Sequence, residues 1–147
     1  MSPEPPYIPI FEGLNKETLD HFWKQVEKME VPAGTVIVRE GEPGNRLFLI
    51  GSGFVRVCKR FDRPDEVELA ALTEGDFFGE MCILETLPRA ATVQSVTETT
   101  LYSMSSGVFY NLQEKDPAQH AILLLNIARD LSRRLRALDE AFAALHQ

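Results

Sequence analysis

The chain has 147 residues, of which 44% are hydrophobic and 25% charged, with a formal net charge of −7. That length suits one domain with enough chain to bury a core, and the composition lies outside the range of disordered chains. The acidic balance argues against holding nucleic acid through phosphate neutralisation, and no apolar run reaches the roughly eighteen residues of a membrane span.

The opening MSPEPPYIPIF has neither the basic start nor the apolar core of a signal peptide, so the expectation is a cytoplasmic protein with no nucleic-acid or membrane partner. Residues 15–29 read as a helix, because Asn15 is a good N-cap and Leu19, Phe22, Trp23 and Val26 recur at helical spacing on one face. From Val31 to Met104 the texture changes to short β-prone runs, TVIVRE, RLFLIG, FVRVCKR, EVELAAL, ATVQSV and TLYSM, separated by Gly, Pro, Asn and Asp. Such strands, punctuated by Gly34, Gly41, Gly44, Gly53 and Gly75, predict an antiparallel jelly-roll β-barrel, which protects its edges by wrapping and encloses a pocket. The polar excursion RFDRPDEVE reads as a hairpin loop without special chemistry.

Ser105 or Ser106 caps a short helix ending near Lys115, and Pro117 opens a long one. Along that long helix Ala121, Leu124, Ala128, Leu131, Leu135, Leu138, Phe142 and Leu145 alternate three and four apart, a heptad seam. Ile122, Leu123, Leu125 and Ile127 add apolar residues off the seam, so the first half should be buried nearly all round and the second half one-sided. Two readings stay open for the seam. Either the helix lies along its own barrel, or Leu124, Leu131, Leu135, Leu138, Phe142 and Leu145 face a second copy in a homodimer. Arg129, Arg133, Arg134 and Arg136 read for the most part as a solvated face. The expected organisation is a single mainly β domain over 1–147, with an N-terminal helical segment over 1–30, the barrel over 31–104 and C-terminal helices over 105–147.

Cys58 and Cys82 lack metal-ligand or disulfide-framework spacing and read as buried thiols, and His21, His120 and His146 are scattered over predicted helices, so no metal is expected. No phosphate loop of the nucleotide hydrolases, no nucleophile elbow and no HExxH pair occurs. The informative stretch is FGEMCILETLPRAATV, residues 78–93. A glycine before a short non-β segment lets the chain turn, and a helical turn starting near Glu80 would aim the unpaired N–H groups of Met81, Cys82 and their neighbours at one spot, an arrangement that binds anions. Pro88 restricts the chain and Arg89 brings a planar, permanently charged fork back toward the same place. Glu80 can only accept, and sugar hydroxyls are good donors, so anion plus hydroxyls points to a sugar phosphate. The alternative is that Glu80 merely favours a helix N-terminus and Arg89 is a surface turn residue.

These residues carry a resemblance. FGEMCILETLPRAATV is similar to the phosphate-binding cassette of the cyclic-nucleotide-binding domains, the module of cyclic-AMP-dependent kinase regulatory subunits, the catabolite activator protein and cyclic-nucleotide-gated channels. GTVIVREGEPGNRLFLIGSGFVRV and LTEGDFFGE resemble the family's barrel, and the flanking helices its N-terminal and lid helices. The resemblance implies a jelly roll with an N-terminal helix, a short phosphate-binding helix and a long C-terminal lid or dimerisation helix. It implies that Arg89 pairs with the cyclic phosphate, that Glu80 takes the ribose hydroxyl, and that the backbones of Gly79, Cys82 and Ala90 complete a cradle that also includes Met81 and Ala91. It further implies that Val57, Leu69, Leu72 and Val93 line the pocket, although as strand residues they suit a plain core equally, and that Arg134, Leu138 and Asp139 reach it from the lid. Leu138 and Asp139 stand where the catabolite activator protein has hydroxyl residues touching adenine, and Ala90 stands where cyclic-GMP-selective relatives tend to carry Thr or Ser. Cyclic AMP is therefore the favoured ligand, cyclic GMP the alternative, and no cofactor is implied. Nothing in the pocket supplies a general base, so a binding domain is expected rather than an enzyme. The chain stops at Gln147, short of a helix-turn-helix, so the output is expected in an unidentified protein partner. The competing reading is an interaction module with an empty barrel and a working dimerisation helix. A third reading, an enzyme or redox sensor using Cys82, would need a low-pKa exposed thiol that the apolar MCIL context does not suggest.

Overall fold

The computed structural model describes residues 7–80 and 87–146. In chain order these form a 3-10 turn at Pro9–Phe11, helix α1 (Lys16–Gln25), strands β1 (Glu27–Val31), β2 (Val36–Val38), β3 (Arg46–Ser52), β4 (Phe54–Lys59), β5 (Val67–Thr73), β6 (Phe77–Phe78), β7 (Thr92–Ser95) and β8 (Thr99–Ser105), then helices α2 (Ser106–Lys115) and α3 (Pro117–Leu145). The strands make two four-stranded antiparallel sheets, in the orders β1-β8-β3-β6 and β2-β7-β4-β5. The jelly-roll expectation holds. The expected phosphate-binding helix falls on residues outside those described.

β3 shows why the chain folds this way. Its run LFLI is buried without alternation, because the strand lies between two cores. Phe48 and Ile50 point between the sheets to meet Val55, Leu72, Phe78, Val93 and Leu101. Leu47 and Leu49 point the other way, into a helical layer with Phe22, Phe109, Leu112, Leu123 and Ile127. Deleting one such fully buried leucine to alanine typically costs about 2–5 kcal/mol, so both layers depend on this one strand.

Helix α1 departs from expectation. Asn15 does cap it, its side chain accepting from the Thr18 N–H at 2.9 Å, but the helix ends at Gln25 rather than near residue 29. Residues Glu27–Val31 leave the helix to pair with β8, from Glu27↔Ser103 to Val31↔Thr99. Five residues of ladder satisfy backbone groups on both strands, and that outweighs the helical preference of Glu, Lys and Met here.

α3 follows the sequence in its bounds and its cap, where the Asp116 side chain accepts from the Gln119 N–H at 3.3 Å. Its first half is one-sided rather than buried all round: Leu123 and Ile127 are fully covered, while Leu125 is 50% exposed. That half is stitched to the N-terminal segment, with Asn126 Nδ2 donating to Ile10 O at 2.8 Å and to Glu12 O at 2.7 Å. The hairpin loop between β4 and β5 is less plain than its sequence, because Arg60 and Asp62 both adopt positive φ. Their N–H groups are taken by Glu40 at 3.0 Å and Glu66 at 2.9 Å, which compensates that conformation.

Candidate ligand-binding site

Gly79 follows β6 at φ +89°, a conformation that glycine alone adopts without strain. A Cβ there would also lie 2.7 Å from Arg46 O and 2.7 Å from Arg89 Nη1. The residue is glycine because two charged or polar neighbours press on its bare backbone. Arg89 arrives from the far side of the cassette with its main chain clamped, its N–H donating to Glu42 O at 2.8 Å and its carbonyl accepting from the Gly41 N–H at 2.8 Å. Its Nη1 donates to Arg46 O at 3.1 Å, and its guanidinium carbon sits 5.8 Å from the Phe48 ring centroid. Phe48 in turn stacks on Phe78 at 5.0 Å. Gly44 leaves room for this side chain, since a Cβ there would be 2.5 Å from Arg89 Nη2 and closer still to Nε and Cζ.

The guanidinium faces a cavity of about 490 Å³, within the range of about 300–1,000 Å³ that holds small-molecule ligands. Gly79, Glu80, Pro88, Arg89, Ala90 and Ala91 form one end. Val38, Val57, Leu69, Leu72, Phe78 and Val93 form the apolar walls. The roof is α3, which contributes Leu131, Arg134, Leu135 and Leu138. The structure thus brings Gly79, Glu80, Arg89, Ala90, Ala91, Val57, Leu69, Leu72, Val93, Arg134 and Leu138 around one volume. Met81 and Cys82 lie outside the described residues. Asp139, expected beside Leu138, is exposed and stands off the lining. One helical residue turns the side chain by about 100°, which carries Asp139 past the face that holds Leu131, Leu135 and Leu138.

Seven lining positions were missed by sequence reasoning: Val38, Lys59, Ala70, Phe78, Pro88, Leu131 and Leu135. Leu131 and Leu135 belong to the heptad seam, and the same spacing that would serve a partner helix also points them into the cavity. The signal was present, but the seam was left open between the chain's own barrel and a second copy, and neither residue was placed at the pocket. Lys59 lies at the end of β4. Its alternation with Val57 along the strand places both on the inward face, a signal that a charged residue in a β-prone run obscures.

Among the described residues, the lining carries three cations, Lys59, Arg89 and Arg134, against one carboxylate, Glu80. An acidic protein therefore keeps a local positive excess where an anion would sit. Lys59 pairs with Glu40 at 3.4 Å and Arg134 with Asp130 at 2.7 Å. Neither carboxylate is part of the lining, so each cation is held in place from outside the cavity.

Cys58 is fully buried on β4, and burial pushes its thiol pKa up, the state of an inert packing residue. His21 contacts Gln25 at 2.6 Å and His146 is exposed, so the histidines do not meet. Among the described residues no group of three His, Cys, Asp or Glu is placed to hold a metal ion, and no helix is long and apolar enough to cross a membrane.

Comparison with known proteins agrees with this geometry. Residues 28–116 match a family model described as a cyclic nucleotide-binding domain. A cyclic nucleotide-gated potassium channel of Mesorhizobium japonicum is 38% identical over 110 residues, 75% of this chain and 29% of that protein. A CRP-like cAMP-activated global transcriptional regulator of Mycobacterium tuberculosis is 32% identical over 136 residues, 92% of this chain and 59% of that protein. The chain thus spans well under two thirds of the length of these relatives. The crystal structure of the Thermus thermophilus catabolite activator protein superposes with a TM-score of 0.76 at 31% identity, covering 94% of this chain and 63% of that one.

Proposed function

This chain belongs to the cyclic nucleotide-binding domain family, and from that premise we propose that its cavity binds cyclic AMP as a regulatory signal. The observation that carries the reading is Arg89, clamped at its backbone and seated between Gly44 and Gly79, at the same end of an apolar cavity as Glu80. A cyclic nucleotide presents one anion, one free ribose hydroxyl and one flat aromatic base with apolar faces, and each has a chemically matched wall. Arg89 takes the cyclic phosphate through a charge-assisted fork, with the backbones of Gly79 and Ala90 beside it. Glu80 accepts from the ribose hydroxyl. Val57, Leu69, Leu72 and Val93 cover sugar and base, and Leu131, Leu135 and Leu138 close from above.

The ligand acts by being bound, not by being converted. The walls around the phosphate hold and neutralise it, which is what a sensor requires. The output passes through α3, whose residues roof the cavity while its far end is bare: Phe142 is 64% exposed and Leu145 82%. Such a stripe serves a second copy of the chain, so ligand closure and dimer geometry share one helix. Titration calorimetry with cyclic AMP and cyclic GMP tests the proposal. Cyclic AMP is expected to bind the more tightly, because Ala90 offers no hydroxyl to guanine; equal affinities would remove the base preference, and no binding of either would leave the bare helix as the working surface.

A further inference from the structure

Arg134 fastens the distal half of α3 to the barrel, beside the apolar packing of Leu131. Arg134 Nη2 donates to the backbone carbonyl of Phe77 at 2.8 Å, the guanidinium lies 4.4 Å from the Phe77 ring centroid, and Nε is 2.7 Å from Asp130 Oδ2 one turn earlier. The pair is well covered, with side chains 28% and 21% exposed. Past residue 127 this is the one hydrogen bond from α3 to the barrel among the described residues. The proximal half is anchored separately, through Asn126 to Ile10 and Glu12 and through the Gln119 side chain, which accepts from the Asn15 N–H at 2.8 Å. The long helix therefore has a fixed base and a roof that rests on the apolar packing of Leu131 and on one directional bond among the described residues.

Phe77 belongs to β6, which leads straight into Gly79 and Glu80. A bond from the roof to this carbonyl thus ties the position of α3 to the strand that carries the ligand end of the cavity. Asp130 Oδ2 lies against Nε as an ion pair without an aligned hydrogen bond, so it holds the charge in place while the carbonyl takes Nη2 and the Phe77 ring lies beside the guanidinium. We propose that Arg134, paired with Asp130, is the positioning residue that sets how firmly the distal half of α3 closes over the cavity, and through it the residence time of the bound ligand. The last clause rests on the cyclic-nucleotide reading; the closure itself does not.

The test is hydrogen–deuterium exchange on the full chain without nucleotide, for wild type, Arg134→Gln, Arg134→Lys and Asp130→Asn. Amides over 131–138 are expected to exchange about tenfold faster in Arg134→Gln, the factor that about 1.4 kcal/mol corresponds to, while those over 117–127 stay unchanged. Arg134→Lys keeps the charge but not the fork and should recover only part of the protection; Asp130→Asn should fall between. With cyclic AMP present, dissociation of Arg134→Gln should be about tenfold faster with little change in association. Unchanged exchange over 131–138, or an equal rise across both halves of the helix, overturns the proposal. If wild type binds no cyclic nucleotide, the ligand reading fails, and the exchange comparison alone still decides whether Arg134 closes the roof.

Discussion

Gly44→Ala should weaken ligand binding without unfolding the protein. A Cβ at Gly44 would sit 2.5 Å from Arg89 Nη2 and closer still to Nε and Cζ, whereas a relaxed carbon contact lies at about 3.5 Å. The guanidinium must therefore move by about 1 Å or more. It is the far end of a flexible side chain, and Gly44 carries no positive φ, so the fold yields cheaply. The displaced fork loses its alignment with the phosphate, and a hydrogen bond to a charged group contributes about 1.5–3 kcal/mol, so affinity for cyclic AMP should fall roughly ten- to 150-fold. A stability loss of about 1 kcal/mol would lower Tm by only about 2–4 °C. Calorimetry and thermal unfolding on the same preparation read both quantities. Wild-type affinity in Gly44→Ala would refute the assignment of Arg89 to the phosphate, and a collapse of Tm would refute the idea that the side chain simply moves aside.

Glu80→Gln should weaken cyclic AMP binding by about 1.5–3 kcal/mol, yet leave 2′-deoxy cyclic AMP binding unchanged, because the deoxy ligand has no hydroxyl for the carboxylate to accept from; an equal loss for both ligands would move Glu80 off the ribose. His120 is buried against the Phe109 ring, and burial pushes its pKa below the ordinary 6.5, so below that pH the unfolded chain takes up a proton that the folded one refuses. Stability is therefore complete above about pH 6.5 and falls as pH drops, by at most about 1.4 kcal/mol per pH unit for this one group. Glu40 and Glu66, whose pKa values are lowered chiefly by the Arg60 backbone and the Arg56 side chain, add their own losses at lower pH, so urea melts of wild type and His120→Gln at pH 7.5 and 5.5 isolate the difference. A wild-type stability no more pH-dependent than that of His120→Gln would remove the histidine from the account. Phe142→Asp with Leu145→Asp should turn a dimer into a monomer in sedimentation equilibrium while nucleotide affinity stays within about twofold, since neither residue lines the cavity; a wild type that is already monomeric would leave the bare stripe without a second copy.

The strand layout was legible because its signals are local, as the apolar run LFLI shows. The spacing of Gly79, Glu80 and Arg89 left a plain helix terminus and surface turn open, and the resemblance to the family's cassette favoured an anion site. What sequence reading missed depends on tertiary choices. Nothing within Glu27–Val31 says that β8 lies alongside, so the helix was carried too far. The heptad of α3 is one pattern with two customers, the cavity and a partner, and only the position of the barrel shows that Leu131 and Leu135 face the former. The residues alone put Arg134 among four arginines on a largely solvated face, and only the resemblance placed it at the lid; the carbonyl of Phe77, 57 residues away in sequence, draws it inward.

The central claim is that Arg89 holds the phosphate of a cyclic nucleotide. The most direct measurement is a calorimetric titration of cyclic AMP into wild type and Arg89→Ala side by side. The account predicts one site per chain in wild type and a loss of about 2–5 kcal/mol in the variant, the cost of leaving a desolvated anion without its partner. No heat with wild type at about 100 µM ligand, a limit near −5.5 kcal/mol, or equal affinity in both proteins would contradict it.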